Sequence, residues 1–103
     1  MRVHVTCEED MEKFSIENYD NFFKAVLKLT TVDEARRFFD DVCTIKELEA
    51  LSQRLEVARM LKSGASYLDI TKATGASTAT ISRVNKCLTY GDGGYNTVLG
   101  DDD

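Results

Sequence analysis

The sequence predicts an all-α domain. Proline is absent, apolar residues recur at three- and four-residue spacing, and Thr31, Thr44, Ser66 and Ser77 each stand where a helix would begin. At 103 residues and 43% hydrophobic content, the chain suits one globular domain with a modest core.

Residues 1–14 read as a polar N-terminal extension, acidic at Glu8, Glu9, Asp10 and Glu12. It lacks the basic-then-apolar order of a secretory signal, and residues 1–10 look dispensable. A short Val3–Val5 alternation is its one strand-like feature. The helical domain is expected over residues 15–90. Ile16, Tyr19, Phe22, Phe23, Val26 and Leu27 form one apolar helical face. Thr31 with Glu34 reads as a capping box, and Ala35, Phe38, Phe39 and Val42 give the next helix its buried side. Thr44 with Glu47 repeats the start signal. Behind it Leu48, Leu51, Leu55, Ala58 and Leu61 form a stripe, widened by Val57 and Met60. So broad a stripe predicts a central helix or one covered by a second subunit. Gly64 closes that helix, and Ser66 and Ser77 cap two more, separated near Gly75. Residues 91–103, with Gly91, Gly93, Gly94, Gly100 and four aspartates, read as a loose tail.

Several function classes are set aside at this stage. No apolar run approaches the roughly 18 residues of a membrane span, so a cytoplasmic, membrane-free protein is expected. Cys7, Cys43 and Cys87 lie far apart and odd in number, which suits reduced thiols; Cys43 and Cys87 are expected as small buried packing groups. His4 is the single histidine and no CxxC spacing exists, so neither a metal site nor a cofactor is expected. Phe22, Phe23, Phe38 and Phe39 read as core or subunit contacts. Asp33 and Glu34 suit a helix N-terminus. No nucleophile–base pair or phosphate loop stands out, so no enzyme is expected.

The informative stretch runs from Ser66 to Leu88. A short helix, a tight turn and a second, outward-presented helix make a helix-turn-helix. Leu68 and Ile70 are placed to anchor the first helix, Gly75 can take positive φ at the turn, and Ile81, Val84 and Leu88 hold the second. Opposite them stand Thr78, Ala79, Ser82, Asn85 and Lys86, small polar or methyl-bearing groups suited to base edges and thymine methyls. Net charge is −5, yet between Lys62 and Tyr90 the cations Lys62, Lys72, Arg83 and Lys86 face Asp69 alone. A basic patch on an acidic body favours specific over random DNA binding, because phosphate neutralisation dominates the non-specific part. The predicted DNA-contacting set is Ser66, Tyr67, Lys72, Ser77, Thr78, Ala79, Ser82, Arg83 and Lys86.

The run Gly75-Ala76-Ser77-Thr78-Ala79-Thr80-Ile81-Ser82-Arg83 resembles the recognition-helix signature of the tryptophan repressors. Together with Arg37-Phe38-Phe39-Asp40-Asp41, Gln53 to Leu61 and Cys87-Leu88, the string looks like the YerC/YecD branch of that superfamily, over roughly Asn18 to Val98. The resemblance implies a tryptophan-repressor-like helical bundle with a helix-turn-helix. It also implies an intertwined homodimer that offers one recognition helix to each of two successive major grooves of double-stranded DNA.

Carried over position by position, the resemblance places Thr44, Arg54 and Arg83 at pocket positions. Arg54 matches the arginine that holds the amino acid's carboxylate, and Arg83 the one that lies against the indole. Val84 departs from the family's glycine and Cys87 from its serine. Overfilling a packed site costs roughly 1–3 kcal/mol. Tryptophan is therefore not expected as a ligand, the effector stays open, and Thr44, Arg54, Arg83, Val84 and Cys87 read as a vestigial pocket. Arg54 and Arg83 are expected instead to pair with Glu47 or Glu56, or to touch phosphates. The leading function is a sequence-specific DNA-binding transcriptional regulator, a repressor in sense. The alternatives are a helical protein-interaction module using the same hairpin and, on cysteine grounds, a ligand or redox sensor.

Overall fold

A computed structural model describes residues 14–100, and all six elements within them are helices. The Val3–Val5 alternation, His4, Cys7, most of the N-terminal extension and the three terminal aspartates lie outside the described residues. The chain divides into two compact units, one up to Val42 and one from Cys43 onward. Among the described residues no helix is long and apolar enough to cross a membrane.

The first unit holds α1 (Ile16–Val26) and α2 (Val32–Val42). Helix α1 carries Glu17 in its first turn and Lys24 in its last, each sign opposing the local end of the helix dipole. Its apolar face meets α2 through aromatic rings: the Phe22 centroid lies 5.9 Å from Phe38 and 6.4 Å from Phe39. Phe38 and Phe39 stand edge to face at 5.3 Å, a favoured aromatic geometry. Neither helix holds a fully buried residue, and Ile16, Phe23, Leu27 and Val32 remain exposed.

Helix α2 starts on a modified capping box. The Glu34 N–H donates to Thr31 Oγ1 at 3.0 Å, as the sequence predicts. The returning carboxylate, however, accepts from the N–H and hydroxyl of Thr30, at 2.8 and 3.1 Å, one residue earlier than a reciprocal box requires. These bonds, the Thr30 N–H foremost, hold the Glu34 carboxyl below its ordinary pKa.

The second unit is built on α3 (Ile45–Lys62), with α4 (Tyr67–Thr74), α5 (Thr78–Tyr90) and α6 (Gly94–Leu99) packed around it. The Thr44–Glu47 capping box is complete: Thr44 Oγ1 accepts from the Glu47 N–H at 3.0 Å, and the Glu47 carboxylate accepts from the Thr44 N–H at 2.8 Å. At its far end the Gly64 N–H reaches the Leu61 carbonyl and the Ala65 N–H the Met60 carbonyl, the paired bonds of a Schellman motif.

Val57, Ala58, Ile70, Ala76, Ile81 and Val84 form the buried core, with Met60, Leu61, Ala65, Leu88, Tyr95 and Leu99 packed against it. The broad stripe expected on α3 therefore splits. Val57 and Ala58 point inward, whereas Leu51 and Leu55 stay about two-fifths exposed, at 43% and 40%. One anchor expected of α4 also changes: Ile70 is fully buried, but Leu68 is 63% exposed. Two residues apart on a helix, they sit about 200° apart and cannot share a face.

The stretch expected as a loose tail contains α6. Tyr95 and Leu99 lie against the core, and Lys62 Nζ donates to Asn96 Oδ1 at 2.7 Å. Two apolar side chains four residues apart suffice to dock one turn and a half of helix once the core exists to receive them. Gly91 lets the chain leave α5: a Cβ there would meet the Cys87 carbonyl oxygen at 2.5 Å.

Replacing Gly91 with alanine is therefore expected to displace the α5–α6 connection and cost about 1–3 kcal/mol, the range for forced overpacking. Urea unfolding gives the cost, and amide exchange in residues 94–99 should accelerate more than in α3. Unchanged exchange in α6 would contradict the close approach.

Candidate nucleic-acid interface

Helices α4 and α5 form the hairpin that the sequence predicts. Ser66 caps α4, its hydroxyl oxygen accepting from the Asp69 N–H at 3.1 Å, and Ser77 caps α5 in the same way from Thr80 at 3.1 Å. Between them the chain needs just Gly75, Ala76 and Ser77. Gly75 ends α4 in the left-handed region, at φ 75°, and its N–H returns to the Thr71 carbonyl at 2.8 Å. Thr74 Oγ1 donates to the Ile70 carbonyl at 2.7 Å and accepts from the Ala76 N–H at 3.1 Å. Gln53 Nε2, reaching over from α3, donates to the Thr74 carbonyl at 3.0 Å.

Ile81 and Val84 are fully buried and Leu88 half-buried, so α5 is fixed by one face. Thr78, Ala79, Ser82, Arg83 and Lys86 recur at helical spacing on the other side, and all five are exposed, as is Asn85. No acidic residue interrupts this surface, because α5 contains none. Its N-terminal turn adds the positive end of the helix dipole. On α4, Lys72 is exposed on the same outward side as Leu68, while Tyr67 lies one turn before buried Ile70 and flanks the inward face. The predicted set thus falls into an outward α5 stripe plus Lys72, two serines occupied as caps, and the flanking Tyr67. Lys62 departs from the expected patch, since its ammonium is turned to Asn96 of α6.

Of the five positions of the vestigial pocket, the single chain brings two into one groove. Arg54 and Cys87 line one groove of about 580 Å³ with Leu51, Leu55, Tyr95, Val98 and the glycine-rich link to α6. Thr44 is occupied at the start of α3, Arg83 is on the outward surface and Val84 is 1% exposed in the core. Cys87, expected as buried, is exposed; it follows Val84 by three residues and falls beside the inward Ile81–Val84–Leu88 line, toward the groove. Cys43 is half-buried. Neither expected carboxylate partner serves Arg54 or Arg83: Glu47 completes its capping box, and Glu56 pairs with Arg59, whose guanidinium holds the Glu56 carboxyl below its ordinary pKa.

Comparison with known proteins supplies a lineage. Residues 17–102 match the family model of the Trp repressor protein. The uncharacterized protein YerC of Bacillus subtilis (strain 168) is 51% identical over 89 residues, covering 86% of each chain. A crystal structure of a TrpR-like protein from Eubacterium eligens ATCC 27750 superposes with a TM-score of 0.75 at 57% identity, covering 78% of this chain and 82% of that one. A crystal structure of a candidate Trp repressor from Staphylococcus aureus superposes with a TM-score of 0.79 at 46% identity, covering 85% of this chain and 88% of that one.

Gly75 is the residue on which the turn depends. Placing any Cβ at φ 75° costs roughly 1–2 kcal/mol, although open space surrounds the position. Gly75→Ala should lose about that much stability in chemical denaturation, and Gly75→Asn clearly less, because asparagine tolerates the left-handed region. Equal losses would place the cost in packing rather than in the backbone.

Proposed function

The chain belongs to the Trp repressor family, and from that premise we propose that it is a sequence-specific DNA-binding transcriptional regulator working through α4 and α5. The observation that carries the reading is the outward face of α5. Thr78, Ala79, Ser82, Arg83 and Lys86 line up in solvent, without a carboxylate, opposite a fully buried Ile81 and Val84. A helix held rigidly by one face and studded with small polar groups on the other can enter a major groove and approach base edges. In this reading Thr78, Ala79 and Ser82 meet bases. Lys72, Arg83 and Lys86 meet phosphates, with Ser66 and Ser77 presenting the N-terminal N–H groups of their helices to the backbone.

The same reading makes the working form a homodimer. Phe23, Leu27 and Val32 of the first unit are 56–81% exposed in the single chain, apolar side chains that a second copy would cover. Two symmetric copies would then offer two recognition helices to half-sites one helical turn apart.

A binding-site selection from genomic fragments, followed by affinity measurements at several salt concentrations, tests the proposal. Lys86→Ala should weaken every sequence alike and reduce the salt slope by about one. Thr78→Ala should instead alter sequence preference, by about 1–3 kcal/mol at the base it reads. Sedimentation should show a species of twice the chain mass. Absence of any preferred sequence would point to a hairpin that binds protein instead.

Val84 bears on the effector. Its isopropyl group is part of the core, and in this reading it takes the space that the family's glycine would leave for an indole. Calorimetry with tryptophan should show no micromolar binding, and operator affinity should not depend on it. Val84→Gly should lose on the order of 2 kcal/mol or more through the cavity and the helix propensity of glycine. Tight tryptophan binding by the unaltered protein, with firmer operator binding, would overturn this.

A further inference from the structure

We infer, resting on the reading of the hairpin as a DNA-binding element, that Gln53 is a positioning residue which sets the attitude of α5 by holding the last carbonyl of α4. A helix leaves its final carbonyls without partners inside the helix. At the end of α4 the Thr71 carbonyl is taken by the Gly75 N–H, while the Thr74 hydroxyl donates back to the Ile70 carbonyl one turn earlier. The Thr74 carbonyl is taken by Gln53 Nε2 at 3.0 Å, across 21 residues of sequence. The other side-chain bonds of the turn are local. This one ties it to α3, the helix against which the hairpin packs.

The consequence follows from the shortness of the link. Three residues separate Thr74 from Thr78, Ala76 among them is 2% exposed, and Ser77 caps α5. A shift of the Thr74 carbonyl has no slack to absorb it and passes into the first turn of α5, where Thr78 and Ala79 stand. Contacts among Ile70, Ile81 and Val84 resist separation but carry little directional preference. A hydrogen bond at a carbonyl does carry one. The core thus holds the hairpin on α3, and Gln53 sets its angle. Around the amide, a polar groove of about 530 Å³ is lined by Lys46, Glu49, Ala50 and Thr74. The loss of the amide would therefore open the carbonyl to water instead of to another packed group.

The test uses the full-length protein and two substitutions. Gln53→Met keeps the length and removes the donor; Gln53→Glu sets a carboxylate against the carbonyl at neutral pH. Both should bind the selected operator about tenfold more weakly, the scale of one lost hydrogen bond to a partly buried acceptor. Affinity for random DNA and its salt slope should hold, because the cations remain in place. The glutamate variant should recover as pH falls through the ordinary glutamate range, about 4, where a protonated carboxyl donates again, relative to the unaltered protein at the same pH. Amide exchange at Gly75 and Ala76 should quicken in Gln53→Met while Ile81 and Val84 keep their protection.

Operator affinity and turn exchange both unchanged would overturn the inference. Equal loss for operator and random DNA, together with a lowered melting temperature, would also overturn it, showing a folding role only. If the unaltered protein prefers no sequence, the DNA-binding reading fails on its own. Exchange at Gly75 and Ala76 then decides whether the tie governs the turn.

Discussion

The second unit depends on one small apolar contact, in which Val57 and Ala58 of α3 receive Ile70, Ala76, Ile81 and Val84 from the hairpin. The alanines matter as much as the branched residues. Ala58 lets another helix come close to α3, and Ala76 lets the turn itself sink to 2% exposure. Each fully buried valine or isoleucine contributes on the order of 1.5–3 kcal/mol, so a core this small leaves little margin. Its stability is of the kind that one cavity or one misplaced Cβ can remove. Everything the outward face of α5 offers is offered because the inward face has no freedom.

The first unit shows the opposite balance. Its helices bring Phe22, Phe38 and Phe39 together, yet no side chain in α1 or α2 is fully buried. Aromatic rings in edge-to-face contact contribute about 0.5–1.5 kcal/mol beyond the area they cover. That is modest against the entropy of ordering two eleven-residue helices. A partner surface that covers Phe23, Leu27 and Val32 would supply what this unit lacks. For the proposed homodimer, folding and association would then be one equilibrium, and apparent stability would rise with concentration.

Electrostatics reconciles an acidic protein with the proposed nucleic-acid partner. The net charge of −5 is a property of the whole chain, with acidic runs at both ends of the sequence. A helix N-terminus, a carboxylate-free stripe and exposed Lys72, Arg83 and Lys86 act within a Debye length of about 8–10 Å, so a phosphate held there meets the local charge more than the net charge. Under the proposed function, the acidic remainder would lower attraction for random DNA, and discrimination would rest more on fit and less on charge. Fit in turn depends on how firmly the hairpin is held, which returns the weight to the core and to the tie at Thr74.

By itself the sequence determined what is local. The Thr44–Glu47 box, the Ser66 and Ser77 caps, the left-handed Gly75 and the Ile81–Val84–Leu88 line were all legible. In each case the partners stand within about four residues, and helical periodicity alone brings them together. Tertiary structure decided the rest. Leu68 or Ile70 could each have faced inward, and the choice lay with the surface of α3. Cys87 is exposed because the groove beside α5 is open there, which no composition rule encodes. Helix α6 has too few apolar residues to declare itself, and it forms where Tyr95 and Leu99 find the core and Asn96 finds Lys62, 34 residues away. Gln53 reads in sequence as one more polar residue on a helix surface. Its role exists because folding brings it to a carbonyl 21 residues distant, and pairings at that range are set by packing, not by spacing.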